Sequence, residues 1–301
     1  MASAPSTPFN LARFGVIAVP YGWLLLFFLV PFFIILKISI SESDGIRFQD
    51  LVQTVDGVLE IKAKWSNYTF IASDAIYAVA YWNAIKYATL TTVLCLLIGY
   101  PFAYFMARAP EHLRPVLLML VMLPFWTSFL LRIYAWKGIL ANNGLLNSAL
   151  LGMGLIDEPL RIMNTPISLT IGMVYAYLPF MILPLYAHLV KMDVRLLEAA
   201  ADLGAKPWET FRLVTIPLSK AGIIAGSMLV FIPCVGEYVI PELLGGPETL
   251  MIARVLWDEF FSNNDWAMAS AVAVTMIVLI LVPLAVFNHF QDQNMAKGGA
   301  R

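Results

Sequence analysis

The chain has little charge and little cysteine, and no phosphate-cradling loop. Of 301 residues only 13% are Asp, Glu, Lys or Arg, and 60% are hydrophobic. Mean hydropathy is +0.78, far from a soluble globular profile. Net charge is −1, so nothing marks a nucleic-acid partner. Cys95 and Cys234 both fall inside apolar stretches, which argues against a disulfide or metal site and for small buried hydrophobes. No Gly-x-x-x-x-Gly-Lys-Ser/Thr occurs, so the chain lacks a nucleotide loop of its own. His112, His188 and His289 are scattered without metal-ligand spacing, and no Ser or Asp sits in a nucleophile elbow. These absences exclude an enzyme and a resident metal. No internal repeat or low-complexity tract is evident.

What is present is a set of long apolar runs. A membrane-crossing helix takes about 20 mostly apolar residues. Six stretches qualify, roughly 16–36, 84–107, 116–137, 167–190, 218–240 and 267–289. Pro20, Pro31, Pro179, Pro184 and Pro233 lie within them and are tolerated because neighbouring helices satisfy the freed backbone groups. The polar residues 1–15 carry no cleavage site, so the first apolar stretch is expected to be retained. The expectation is an all-α integral membrane protein of six helices over 16–290. It has a cytoplasmic segment at 1–15 and a cytoplasmic tail at 291–301.

Orientation follows from Lys and Arg in the short loops. The segment 191–220 carries Lys191, Arg195, Lys206, Arg212 and Lys220, which places it and both termini in the cytoplasm. The outer loop 40–83 is acidic and carries Trp65, Tyr68, Tyr77, Tyr81 and Trp82, read as a cap with interfacial aromatic anchors. In 138–166, Asn142-Asn143-Gly144 and Gly152-Met153-Gly154 read as turns. In the outer loop 241–266, Thr249 is expected to cap a short helix with Ile252, Val255, Leu256 and Phe260 on one face.

Two polar features stand out. The first is the loop 191–217, where Leu196, Ala200 and Leu203 repeat at helical spacing before Gly204. Gly204 permits a turn that a side chain resists. Pro207 then suits the first turn of a second helix, continued by Phe211 and Val214. By itself this describes either a solvated amphipathic hairpin or a small-residue knob that another protein approaches closely. The second is a pair of ionisable residues inside apolar stretches, Arg132 and Glu237. Each costs roughly 2.5–3.5 kcal/mol at a helix centre, so each should face protein or water. Arg132 and Glu237 either pair with each other or, for Arg132, snorkel to the interface. Alternatively Glu237, with Tyr238, Trp126 and Tyr177, offers a carboxylate and aromatic faces to a cationic solute. Lys86 and Lys220 sit at helix ends and are expected to snorkel.

The run Glu198-Ala199-Ala200, three residues, Gly204, nine residues, Val214-x-Ile216-Pro217 resembles the EAA motif of permease subunits of bacterial ABC importers. Val214 and Ile216 depart conservatively from isoleucine and leucine. The resemblance implies that Glu198, Ala199, Ala200, Asp202, Gly204 and Pro217 belong to a coupling helix docking on a separate ATPase. Leu123-Pro124-Phe125-Trp126-Thr127-Ser128, Arg161-Ile162-Met163, Leu178-Pro179-Phe180-Met181 and Gly236–Gly246 are similar to runs in spermidine/putrescine permeases, the last most of all to the putrescine system's first permease subunit. The likeness extends from the first apolar stretch to the last.

It implies a type I ABC importer permease (MetI-like) fold in the bacterial inner membrane. The implied partners are a second homologous permease subunit in a heterodimer, two ATP-binding subunits and a periplasmic polyamine-binding protein. ATP and Mg would sit on the partner ATPase, with no cofactor on this chain. Glu237, Tyr238, Trp126, Tyr177 and Arg132 become candidates for the substrate pathway. Rival readings are an ABC permease for another small solute and, from a different class, a stand-alone secondary transporter. The latter needs intramembrane ion relays, and the apolar stretches hold very few acids.

Overall fold

The computed structural model describes residues 11–41 and 64–298, and within 42–63 only short paired strands. The chain divides into two compact units, residues 1–73 with 258–282, and residues 74–257 with 283–301. The first unit opens with α1 (Leu11–Leu24), which passes through a π-helical turn at Leu25–Leu29 into α2 (Val30–Ser39). The stretch Val16–Ser39 is long and apolar enough to cross a membrane, and of its residues only Ser39 is buried inside the protein. Two small antiparallel hairpins follow. β1 (Ser43–Asp44) pairs with β2 (Arg47–Phe48), and β3 (Val52–Val55) pairs with β4 (Val58–Ile61). α3 (Ser66–Ser73) returns to the end of α2, where Tyr68 Oη and Ser39 Oγ meet at 2.8 Å and Asn67 Nδ2 donates to the Ser39 carbonyl at 3.2 Å.

The second unit is built on three long helices. α4 (Ala75–Arg108) starts at an Asp74 cap whose carboxylate accepts from the Ile76 amide at 2.8 Å. It begins ahead of the apolar stretch 84–107, and Tyr77, expected as an interfacial anchor, is buried in the core. Trp65 and Trp82 are exposed. α5 (Arg114–Met122) runs into a 3-10 turn at Leu123–Trp126 and then α6 (Phe129–Leu140). The apolar stretch 116–137, expected as one straight helix, is instead broken by 86° between Trp126 and Phe129. Pro124 starts the break, because its ring removes an amide, and Thr127 folds back on the Pro124 carbonyl through both its amide and its hydroxyl. α7 (Leu145–Gly152) completes this arm.

α8 (Pro166–Leu189) is capped reciprocally by Thr165 and Ser168. Beyond it come α9 (Arg195–Asp202), α10 (Pro207–Thr210), a π-helical turn at Phe211–Thr215 and α11 (Ile216–Val235). Pro217 therefore lies at the start of α11 and inside a helix that runs continuously from Pro207 to Val235. The π turn beside it accommodates the amide that proline lacks. α12 (Val239–Leu244) and α13 (Ile252–Trp257) follow. Thr249 closes the turn before α13 by accepting from the Gly246 amide at 2.8 Å, rather than capping the helix after it. α14 (Trp266–Gly298) ends the chain, and its Trp266–Leu281 portion is a shorter apolar helix. The stretches 16–36, 84–107 and 267–289 each fall on continuous helix and 167–190 does so to Leu189, whereas 116–137 is broken and 218–240 runs past the end of α11 into α12.

α4, α8 and α11 pack on one another through small residues. Ala80, Ala84, Ala88 and Cys95 of α4 are fully buried, as are Leu169, Met173, Met181 and Leu185 of α8. Both cysteines are free and buried. In lipid, where no hydrophobic force separates helix from tail, close van der Waals approach holds helices together. Gly172 of α8 allows a close approach to α12 as well. A Cβ there would stand 2.4 Å from Leu244 Cδ1 and 3.0 Å from Ile240 Cγ2. Gly172→Val should therefore destabilise the protein by about 1–3 kcal/mol through overpacking. The check is a lower melting temperature in detergent, beside Gly152→Val, whose Cβ meets nothing within 4 Å. Equal melting of the two variants would contradict this packing.

Candidate functional site

Two regions carry the sequence-derived candidates. The first is the hairpin of α9 and α10. α9 ends in the hydrogen-bond pattern of a Schellman motif. The Gly204 amide donates to Ala201 at 2.9 Å and the Ala205 amide to Ala200 at 3.0 Å, with Gly204 at φ +81. Glu209 then reaches back to the Lys206 amide at 2.9 Å, with Pro207 beginning the next turn. Glu198, Ala199, Asp202, Gly204 and Pro217 are exposed, and Ala200 is half-buried. The apolar members of the hairpin stand in the open: Leu203 is 89% exposed, Trp208 67% and Leu196 47%.

The hairpin is braced against α4. Phe211 stacks with Trp208 at 5.8 Å and meets Tyr100 and Tyr104 edge-on at 5.6 and 6.4 Å. Tyr100 Oη bonds Ser219 Oγ at 2.8 Å in the core. The hairpin thus touches the end of α4 through Phe211, and Tyr100 of α4 is in turn bonded to the start of α11.

The second region centres on Glu237, which is 9% exposed. Gly236 ends α11, and Glu237 occupies the short link to α12. One carboxylate oxygen accepts the Val239 and Ile240 amides at 3.0 and 3.2 Å, satisfying the first turn of α12. The other accepts a short hydrogen bond from the Tyr177 hydroxyl of α8. The Arg132–Glu237 pair is not formed. Arg132 lies instead over Phe125 and Phe129, at 5.2 and 5.7 Å from their ring centres, and its buried Nε has no hydrogen-bond acceptor.

Tyr177 and Arg132 are nevertheless joined. Tyr177 packs on Phe180 at 6.1 Å, Phe180 meets Phe125 edge-on at 5.3 Å, and Phe125 carries the Arg132 guanidinium. An aromatic lane thus runs from a buried carboxylate to an arginine. Sequence reasoning missed Phe125 and Phe180 as members. The repeated Leu-Pro-Phe at Leu123–Phe125 and Leu178–Phe180 was the available signal. Trp126 is 78% exposed, and Tyr238 stacks on Trp257 at 4.6 Å.

Other contacts brace this end of the unit. Asn83 Nδ2 donates to the Glu248 and Leu250 carbonyls at 3.2 and 3.1 Å, Ser168 Oγ donates to the Leu244 carbonyl at 2.7 Å, and Arg254 pairs with Glu242 at 2.9 Å. Among the described residues no group of three His, Cys, Asp or Glu is placed to hold a metal.

Long apolar helices, a broken arm and an exposed small-residue hairpin braced on the helical core define a multi-pass membrane transport subunit rather than an enzyme. Residues 95–296 match the family described as binding-protein-dependent transport system inner membrane component, and the chain belongs to that family. It is a permease subunit of an ABC importer in the inner membrane. It is 41% identical over 271 residues to the spermidine/putrescine transport system permease protein PotB of Haemophilus influenzae, covering 90% of this chain and 91% of that one. Against PotB of Escherichia coli it is 41% identical over 266 residues, covering 88% and 93%. A solved structure of a bacterial ABC transporter involved in alginate import superposes at TM-score 0.65 with 16% identity, over 94% of this chain and 96% of that one. That last likeness concerns the fold alone.

Proposed function

We propose that this permease imports a polyamine, spermidine or putrescine, and that the hairpin at 195–210 couples import to ATP hydrolysis on a partner chain. The observation that carries the substrate is the 41% identity, over nine-tenths of the chain, to permeases named for spermidine and putrescine. The buried Glu237 at one end of an aromatic lane supports it chemically. A polyamine's ammonium groups must exchange water for compensating charge or π faces. Glu237 and Tyr177 supply the first, and Phe180 and Phe125 the second. Arg132, a like charge, bounds the far end of the lane. Trp126 and Tyr238 flank it from the outer side. The narrower assignment to the putrescine system belongs to this same proposal.

The transporter is a heterodimer of this chain with a second permease, above two ATPase subunits that bind ATP and Mg, and beneath a periplasmic binding protein. Both termini and the loop 191–217 are cytoplasmic. Outer loops 40–83 and 241–266 face the binding protein, and the permease domain covers 16–290. Closure of the ATPase pair moves Glu198, Ala199, Ala200, Asp202 and Gly204. Phe211 passes that motion to α4, and Pro217 with its π turn lies where the hairpin joins α11. The inner side then closes and the outer side opens.

The test is uptake of labelled spermidine and putrescine into proteoliposomes holding the assembled complex. Import should require ATP and the binding protein and should persist after ion gradients are collapsed. Import driven by an ion gradient without ATP would overturn the coupling. ATP-driven import of another solute with neither polyamine carried would overturn the substrate.

A further inference from the structure

The end of α4 and the start of α5 enclose a cleft of about 270 Å³, lined chiefly by Phe105, Arg108, Pro110, Leu113, Val116 and Leu117. Its lining is almost wholly apolar apart from the arginine. Phe105, Val116 and Leu113 are exposed, at 63, 49 and 44%. Arg108 lies with its Cζ 5.4 Å over the Tyr104 ring, and its Nη2 is buried without any hydrogen-bond partner. An arginine N–H in that state is costly unless an acceptor reaches it. Arg114 stands across the turn and spends its Nε–H on the Ala109 carbonyl at 2.9 Å. α5 begins without a side-chain cap, so its first amides also favour negative charge. Glu111 is the one acid of the turn and is exposed, as is His112.

This place lies at the same end of α4 as Tyr104, which meets Phe211 beside the coupling hairpin. It is therefore at a membrane boundary, where headgroup phosphates meet acyl chains. We propose that the cleft binds one anionic phospholipid, its phosphate on Arg108 and Arg114 and an acyl chain along Phe105, Leu113 and Val116. A soluble anion has no use for the apolar half, and a zwitterionic lipid brings its phosphate with a choline cation that Arg108 and Arg114 repel. The fixed fork of arginine suits a phosphate oxygen pair, and basic pockets between membrane helices recognise such headgroups. Because the hairpin and the cleft share the end of α4, a bound lipid stiffens the element that receives the coupling motion.

The experiment is native mass spectrometry of the purified full chain in neutral detergent, with phosphatidylglycerol or phosphatidylcholine of identical acyl chains. Wild type should retain phosphatidylglycerol, and Arg108→Gln should retain it about fivefold less, equal to about 1 kcal/mol for one basic residue. Phosphatidylcholine, whose choline cation offsets its phosphate, should bind more weakly to wild type and lose less in the variant, and excess inorganic phosphate should leave phosphatidylglycerol in place. Val116→Trp fills the apolar half without touching charge and should also lower phosphatidylglycerol retention. It decides the matter if the glutamine variant does not fold. Equal phosphatidylglycerol retention in wild type and Arg108→Gln would overturn the proposal. So would phosphatidylcholine bound as tightly, which removes the selectivity for an anionic headgroup, or displacement by phosphate. Unchanged retention in Val116→Trp would remove the acyl-chain half. Lipid retention is read without ATP or solute, so its failure is distinct from failure of the importer reading.

Discussion

Replacing Gly204 by aspartate will leave the protein in the membrane and stop import. Gly204 sits at φ +81 with nothing within 4 Å of where a Cβ would stand. The chain itself thus has room for a side chain, and aspartate is among the residues that tolerate the left-handed region. Folding should change little. What changes is the outline of the hairpin, where Leu203 and Trp208 stand exposed. A carboxylate at the turn holds that surface away from an ATPase cleft and adds an anion beside Asp202. We expect ATPase co-purification and ATP-dependent polyamine uptake to fall more than about tenfold, a change of about 1.4 kcal/mol or more in docking. Gly204→Ala adds backbone strain of about 1–2 kcal/mol but little bulk, and should lose less. Wild-type uptake with a full complement of ATPase on the aspartate variant would end the coupling role.

Glu237→Gln is the second large effect, and it separates charge from structure. Glutamine keeps an oxygen for the Val239 and Ile240 amides and turns its NH₂ to Tyr177, whose oxygen then accepts. Melting temperature should therefore stay close to wild type. The negative charge is gone, and removal of one charged contact of about 1.5–3 kcal/mol predicts polyamine uptake reduced at least about tenfold. Glu237→Leu removes both functions. It strands two backbone amides and the Tyr177 hydroxyl, each unsatisfied group costing about 1–3 kcal/mol, so the protein should fail to accumulate. A glutamine variant with unchanged uptake affinity and rate would reduce Glu237 to a helix cap and remove it from the solute pathway.

The contrast between these two sites explains which parts were legible in the sequence. The hairpin is local. Its turn, its cap and its exposed stripe are all written within residues 195–217, so spacing alone located it. The helix that Pro207 begins, read from its apolar stripe through Phe211 and Val214, runs on through a π turn into α11. The Glu237 region is not local. Tyr177 lies 60 residues away, and Phe125 and Phe180 enter only because α8 presents them to one another. An Arg132–Glu237 pair, one of the alternatives open in the sequence, is absent for a related reason. The 86° break near Thr127 directs Arg132 onto its neighbouring phenylalanines, and a hydrophobicity count does not register a break between two apolar halves.

By itself the sequence determined that the chain is helical, multi-pass and equipped with an EAA-like hairpin. Partition into a membrane adds up residue by residue along a stretch, and turn chemistry needs only adjacent backbone. Only the tertiary structure decided which side chains Glu237 and Arg132 meet, which glycines let α8 approach α12 and α11, and that Arg108 lies unpaired in a cleft. Those outcomes depend on how each helix is rotated and how far its axis stands from the next. Both are set by close packing between distant residues, which composition and periodicity do not encode.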